Sequence, residues 1–419
     1  VKGLAGLAFH SAWHRRFVLS LVAASVALSA FLLLGLERLK QDLREQMADA
    51  VAGTDLVVGA RGSGLPLVLA TVFHVGDAPK PMGWRSAEAL ARLRGVAWTV
   101  PVAIGDSHRG FAVVGSTPAY FDHVKQADGQ ALAFAAGQPF REVFDAVAGA
   151  EVARRLGWRV GDAVVLSHGD GQLQANDHDD KPFRVAGVLR PTGTPVDRTL
   201  LVSLQGLRAV HLDWAAGAPL PGLQVSREAA LQQDLTPRSV SAVLVGLQQR
   251  PRALRLQREI EALDGEPLTA VLPGVALSQL WQLTAGAERA LQAAAALVAL
   301  VSVAGLVAVV LTGLESRRRE LALLRSVGAR PLHLVALLLL EGTLVVAAGV
   351  AAGALLHAAC AWAAADWLWR HWGVGLRPLA VNAAQALWLG GLLAAGMAAS
   401  LLPAWRAYRL SLADGLSMS

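Results

Sequence analysis

Glu315-Ser316-Arg317-Arg318-Arg319-Glu320-Leu321-Ala322-Leu323-Leu324-Arg325-Ser326-Val327-Gly328-Ala329-Arg330-Pro331 is a short charged stretch lying between two long apolar runs. Leu321, Leu324 and Val327 recur at three-residue spacing and Leu323 widens the stripe, so the stretch is expected to form a helix with one apolar face. Glu315 stands four residues before Arg319, a spacing that supports a helix through a surface ion pair. Gly328 offers a left-handed stop, and Pro331 suits the first turn of the helix that follows. A loop that only joined two membrane spans would not need this much design. The stretch reads as a docking element.

The composition places the flanking runs in a membrane. Of 419 residues, 54% are hydrophobic and 17% charged, with a mean hydropathy of +0.43. A pI of about 10.1 raises the question of nucleic acid, but the location of the charge answers it differently. Three segments read as cytoplasmic hold Lys2, Arg15, Arg16, Arg317, Arg318, Arg319, Arg325, Arg330, Arg406 and Arg409 against Glu315, Glu320 and Asp414. The rest of the chain is close to neutral, so the basicity is a positive-inside topology signal and no nucleic-acid partner is expected. The single Cys360 excludes intrachain disulfides and a cysteine-rich zinc site.

From the N-terminal side, residues 1–16 form a cytoplasmic amphipathic segment and 17–36 an uncharged first span. That run is too long for a secretory leader and no small-residue cleavage site follows it, so it is expected to be retained. Residues 37–53 continue as a stalk helix. Residues 54–274 read as a soluble α/β domain outside the membrane, with strand-like runs at Asp55–Gly59, Phe111–Gly115, Phe183–Leu189 and Val240–Gly246. Helical stretches at Ser86–Leu93, Ala150–Leu156 and Arg252–Leu263 lie between them. A second stalk helix, 275–290, leads into the second span, 291–314. The docking stretch occupies 315–331, and the third span 332–362. An outer loop covers 363–382, the fourth span 383–402 and a cytoplasmic tail 403–419. The expected fold is therefore an α-helical membrane protein with four transmembrane helices and a large extracytoplasmic α/β domain between helices 1 and 2, both termini inside. Trp362, Trp367, Trp369, Trp372 and Trp388 suit an interfacial aromatic belt.

This layout resembles the FtsX-like permeases of the MacB-type (type VII) ABC transporter superfamily. The motifs that carry the resemblance are Glu320–Ala329, similar to the family's R-E-I-A-L-L-R-A-L-G-A, Leu338-Leu339-Leu340-Glu341-Gly342 and Pro403-Ala404-Trp405-Arg406-Ala407. The outer domain matches more loosely, through Gly157-Trp158-Arg159-Val160-Gly161-Asp162 and Phe183–Leu189. The resemblance implies a MacB-like periplasmic core domain with a porter-like part, 54–145 and 238–274, and an inserted subdomain, 146–237. It also implies a bacterial inner-membrane location and a homodimer of permeases bound to two copies of a cytoplasmic ABC ATPase. Docking would use Arg318, Arg319, Glu320, Leu321, Leu324, Arg325, Val327 and Gly328. ATP and Mg would be bound by that partner, and closure would be relayed along the stalks as mechanotransmission. Two function classes follow. One is export or extraction of a hydrophobic or lipid-anchored substrate, with a periplasmic protein or lipoprotein and membrane lipids as partners. The other is a signalling scaffold regulating an envelope enzyme such as a cell-wall hydrolase.

No lysine stands in a G-x-x-x-x-G-K-[ST] context, so no P-loop ATPase, and no other enzyme constellation, is read here. Gly59-Ala60-Arg61-Gly62-Ser63-Gly64 fits neither dinucleotide nor nucleophile-elbow patterns and reads as a loop. Glu341 is the acid inside a span, about two turns from its inner end; it reads either as a substrate or proton site or as a carboxylate bonded to neighbouring helices. Gly349 and Gly353 form a G-x-x-x-G that allows close helix contact. His168-Gly169-Asp170 and Asp177-His178-Asp179-Asp180 leave two readings open. One is a zinc site from His168, Asp170, His178 and Asp180, and the other a solvated hairpin loop.

If the stretch docks an ATPase, its apolar stripe is the buried anchor and its arginines are the rim. Leu324→Asp is then expected to weaken co-purification of the ATPase about tenfold or more while membrane insertion is unchanged. Undiminished ATPase binding in that variant would remove the docking role.

Overall fold

The computed structural model describes residues 16–168, 180–215, 218–219, 225–316, 326, 329–372 and 382–409. They form two compact units: Arg44–Leu283, and the residues on either side of it up to Leu43 and from Thr284 onward.

In the 44–283 unit, strands form where β-branched runs alternate between two covered faces. The main strands are β1 (Leu56–Ala60), β2 (Val96–His108), β3 (Phe111–Ser116), β4 (Phe134–Gly137), β5 (Asp145–Ala148), β6 (Phe183–Leu189), β7 (Thr199–Ser203), β8 (Ala242–Leu247) and β9 (Leu268–Val271). They lie in one sheet in the order β9-β1-β8-β2-β3-β7-β5-β6-β4. Short strands at Ala163–Val164 and Ser167–His168 join its flank on β6 and β2. Pairing is mostly antiparallel, but β7 runs parallel to β3 and β5 parallel to β6. That mixture fits an α/β domain with crossover helices.

Both sheet faces are buried. Val57, Val100, Val102 and Leu244 face one core, whereas Leu56, Val58, Val243 and Val245 face another with Met82, Leu90 and Ile260. A third core gathers Phe111, Phe144, Phe183, Leu200 and Val202. Strands covered on both sides carry continuous apolar runs instead of alternation, which is why Leu56-Val57-Val58 and Leu200-Leu201-Val202 are apolar throughout. Helices α1 (Arg16–Ala50), α2 (Gly64–Phe73), α3 (Trp84–Ala91), α4 (Ala150–Leu156), α5 (Leu204–Val210) and α6 (Ala253–Glu261) precede or connect these strands. Residues 146–237 share the sheet with the rest of the unit, and Val147, Leu189, Val196 and Leu201 sit in the same core as Val57 and Leu244.

Two buried polar groups and one glycine-rich turn fix this unit. Lys181 is wholly buried, its Nζ donating to Asp180 at 2.5 Å and to Asp213 at 2.9 Å. Asp197 is buried and accepts from the backbone N–H groups of Thr192 and Gly193 at 2.7 and 3.0 Å. The glycine-rich turn after β1 is a packing device: a side chain at Gly59 would run into Leu67, and one at Gly64 into Val271. Gly62 donates to Thr269 Oγ1 at 3.1 Å.

The other unit is built from α1, α7 (Pro273–Ser316), α8 (Pro331–Trp372) and α9 (Ala383–Arg409), each long and apolar enough to cross a membrane. In α1 the buried positions Val22, Val26, Ser29, Ala30 and Leu33 repeat at helical spacing, as do Ser302, Leu306, Val310 and Leu314 in α7. The opposite faces stay apolar, with Phe17, Leu300, Leu355 and Leu387 exposed, as lipid requires. Helix α8 continues past the expected end of its span, so residues 363–372, expected in a loop, are helical. The cause is visible in the sequence: no glycine or proline occurs between Gly353 and Gly373.

His74 offers a pH test of the sheet unit. It closes α2 in the left-handed conformation (φ 55), with Nδ1 3.3 Å from Thr199 Oγ1 and an enclosed Nε2 that has no hydrogen-bond partner among the described residues. Burial lowers its pKa from 6.5 to about 4. A depressed pKa means the unfolded chain takes up the proton first. The contribution to stability is therefore complete above pH 6.5 and is lost as the pH falls toward 4. His74→Asn, which tolerates the backbone, is expected to flatten the fall in unfolding temperature across that window. Parallel curves for the two proteins would contradict it.

Candidate functional site

Residues of the four long helices meet in the interior of this unit. Small residues on α8 let α1 approach closely. A side chain at Gly349 would lie 2.8 Å from the Ala23 carbonyl and from Val26, and one at Gly353 would run into the Ala27 carbonyl and Ala30. Gly349 and Gly353 are thus brought together on one face against α1. This is close backbone packing of the kind that replaces hydrophobic association in lipid. One turn before Val346, Gly342 faces Ser400 on α9, and Gly396 faces Val346 in return.

Glu341 is 4% exposed and lies in the bundle interior beside Gly342. Its burial places it on the same face as Leu334 and Leu338, which pack with α1, α7 and α9 residues in one core. A carboxylate kept away from the lipid-facing surface avoids the largest cost of an acid in a span.

A hydroxyl cluster was not anticipated from the sequence. Ser302 Oγ on α7 lies 2.7 Å from Ser25 Oγ and 2.9 Å from Ser29 Oγ on α1, and it also donates to the Ser25 carbonyl at 3.2 Å. The signal was present as serines four residues apart in the first span, but serine in an Ala-rich span is too common to single out. At the N-terminus of α9, Asn382 and Gln385 cap the helix reciprocally: Gln385 N donates to Asn382 Oδ1 at 2.6 Å and Asn382 N to Gln385 Oε1 at 3.1 Å. Asn382 also bonds Gln41 of α1, and Gln385 Nε2 reaches the Leu34 carbonyl at 3.4 Å.

The helices α1 and α7 do not stop at the bundle. At about 1.5 Å per residue, their 35 and 44 residues reach roughly 50 and 65 Å, well beyond the ~30 Å hydrocarbon core. In the 44–283 unit their far ends meet again. The Arg44 guanidinium lies over the Trp281 ring at 5.2 Å, and Ala276 is buried in a core that Val51 also packs against.

Of the docking stretch, Arg318, Arg319, Glu320, Leu321, Leu324, Arg325, Val327 and Gly328 lie outside the described residues, as do Asp170 and His178. His168 ends a short strand opposite Asp106 of β2, and the Asp180 carboxylate is held by Lys181. Among the described residues no group of three or more His, Cys, Asp or Glu could hold a metal ion.

Residues 17–262 match the profile of the MacB-like periplasmic core domain, and residues 293–412 that of the FtsX-like permease C-terminal region. The first match alone spans more than half of the chain. The chain belongs to the FtsX/MacB-type permeases. It is similar, at 13% identity, to a solved periplasmic region of MacB from Actinobacillus actinomycetemcomitans, over 54% of this chain and 93% of that one, with a TM-score of 0.33. It is also similar, at 13% identity, to the extracellular domain of the noncanonic ABC-type transporter YknZ from Gram-positive bacteria, over 52% and 99% of the two chains, with a TM-score of 0.30. No curated protein matches. This FtsX/MacB-type permease is accordingly a membrane protein of the ABC transporter class. The family implies an ABC ATPase as partner.

The contact of α8 with α1 gives a direct test. Gly353→Val is expected to destabilise the purified permease by about 1–3 kcal/mol through overpacking. Gly390→Ala, where a side chain meets nothing within 4 Å, serves as the neutral control. Equal thermal unfolding of both variants and the parent would mean that α1 and α8 do not pack through this face.

Proposed function

We propose that this permease converts ATP hydrolysis by a separate cytoplasmic ATPase into movement of its domain outside the membrane, for export or extraction of a hydrophobic or lipid-anchored substrate. The observation that carries the proposal is the continuity of α1 and α7. Both pack in the helix bundle and run on without interruption, α7 starting from Ala276 buried in a core of the sheet unit and α1 leading directly into Val51, which packs against the same core. A helix passes displacement along its axis, where a glycine-rich linker would absorb it. Membership of an ABC permease family supplies the ATPase, and the stretch 315–331, with its apolar stripe and basic rim, is the segment we assign to bind it.

In this reading the chain lies in the bacterial inner membrane with both termini cytoplasmic, as the Arg-rich segments favour. Two permeases act with two ATPases. Gly305 on α7, beside exposed Val301, has open space in front of it, which would let a second copy approach. The hydroxyl cluster of Ser25, Ser29 and Ser302, with the Arg44–Trp281 contact further along, would hold the two levers together as they move.

The test is a Gly-Gly-Ser insertion after Arg44, with a fluorophore on Val160→Cys in a Cys360→Ala background. ATP turnover by the reconstituted complex is expected to persist while the nucleotide-dependent fluorescence change is lost. A fluorescence response that survives the insertion would show that transmission runs by another route.

A further inference from the structure

The sheet unit contains a groove of about 660 Å³. Its floor is the middle of β2, where the ladder to β3 shifts register between Ile104 and Asp106; a bulge there bends the strand and opens the surface beside it. One wall is a single face of α5 and the residue after it, with Leu204, Leu207, Arg208 and His211 at helical spacing. The other walls are the segments 78–81 and 237–241, which bring Lys80 and Arg238 to the same opening.

Three cationic side chains therefore line one groove, and among the described residues no carboxylate lines it. Two acids are close by. Asp106 lies beneath and pairs with His211 at 3.5 Å, and exposed Asp234 acts on Arg208 from the side while accepting from the Thr236 N–H at 2.9 Å. Burial works against the charged form of His211, but the hydrogen bond and charge of Asp106 outweigh it and raise its pKa, which favours a further positive charge in the groove. Arg208 is under-served. Its Nε is buried without a hydrogen-bond partner among the described residues, and both burial and the Arg238 charge oppose its ionised form. A buried donor left unpaired is destabilising, and two guanidiniums held near each other repel. An anion seated between them would relieve both costs through charge-assisted hydrogen bonds.

The rest of the lining narrows the class of ligand. Ile104 and Leu207 are half-buried and present an apolar surface next to the cations, with Pro79, Pro81 and Ala103 alongside. A site for a free inorganic ion would not need it. We propose that this groove binds a phosphate-headed amphiphile, the head group on Lys80, Arg208 and Arg238 and the hydrocarbon against Ile104 and Leu207. The assignment deepens the proposed handling of a lipid-anchored or hydrophobic substrate and rests on that reading only for what the ligand does.

The binding itself is tested without ATPase, so its failure leaves the coupling account standing. Hexyl phosphate is titrated into the full chain in zwitterionic lipid nanodiscs, with empty nanodiscs subtracted. Saturable binding is expected, weakened about tenfold in Lys80→Gln/Arg238→Gln, where both side chains are exposed in the parent and folding is checked by unchanged thermal unfolding. Hexyl glucoside should not displace the probe, and inorganic phosphate should do so only at about tenfold higher concentration or more. Arg208→Gln, which removes the half-buried member, should weaken binding by at least as much. No saturable binding, equal affinity in the double variant, or displacement by hexyl glucoside would overturn the proposal. Inorganic phosphate as potent as hexyl phosphate would also overturn it, by removing the apolar half of the site.

Discussion

Backbone hydrogen bonding that continues unbroken through α1 and α7 is the constraint on which the rest of this permease depends. A bilayer offers no partner to a free N–H or C=O, so a crossing segment must satisfy its own backbone. These two helices keep doing so outside the hydrocarbon region. Val26, Ala30, Leu306 and Val310 pack in the bundle, Ala276 of α7 is buried in a core of the sheet unit, and Val51, directly after α1, packs against that core. Domains joined by loose linkers would move independently. Here the helical run of α1 and α7 is uninterrupted.

The bundle itself is assembled with little help from the hydrophobic effect, because lipid is as apolar as leucine. Shape and hydroxyls do the work instead. Gly349 and Gly353 bring α8 onto α1, Gly342 and Gly396 bring α8 onto α9, and Ser302 joins α7 to α1. Interhelical hydrogen bonds of this kind contribute only about 0.6 kcal/mol each on average. The contacts are modest singly and extend along several helices.

Four spans, a large α/β domain after the first of them and the family were legible in the sequence, because length, charge bias and short motifs each speak locally. Helix α4 and strand β6 were readable to the residue, since Ala150–Leu156 is bounded by Gly149 and Gly157 and Phe183–Leu189 is a bounded apolar run. Strand β2 was not readable. Pro101 and Gly105 interrupt its pattern, and only its neighbours make it a strand, with Pro101 opposite Val243 and a bulge after Ile104. The groove was invisible for the same reason. Lys80, Arg208 and Arg238 are far apart in the chain and meet only because the sheet places α5 beside two loops. The Arg44–Trp281 contact is likewise a product of tertiary structure. Sequence reasoning marks the elements; it does not say which distant cations share an opening.

The central claim is that α1 and α7 are stiff from the bundle into the sheet unit. Amide hydrogen exchange on the full permease in nanodiscs measures this directly, residue by residue through 37–50 and 275–290. Slow exchange is expected to run without a gap through both stretches, on a scale matching the bundle cores. A short run of fast-exchanging amides in either helix, flanked by protected ones, would reveal a hinge and contradict it.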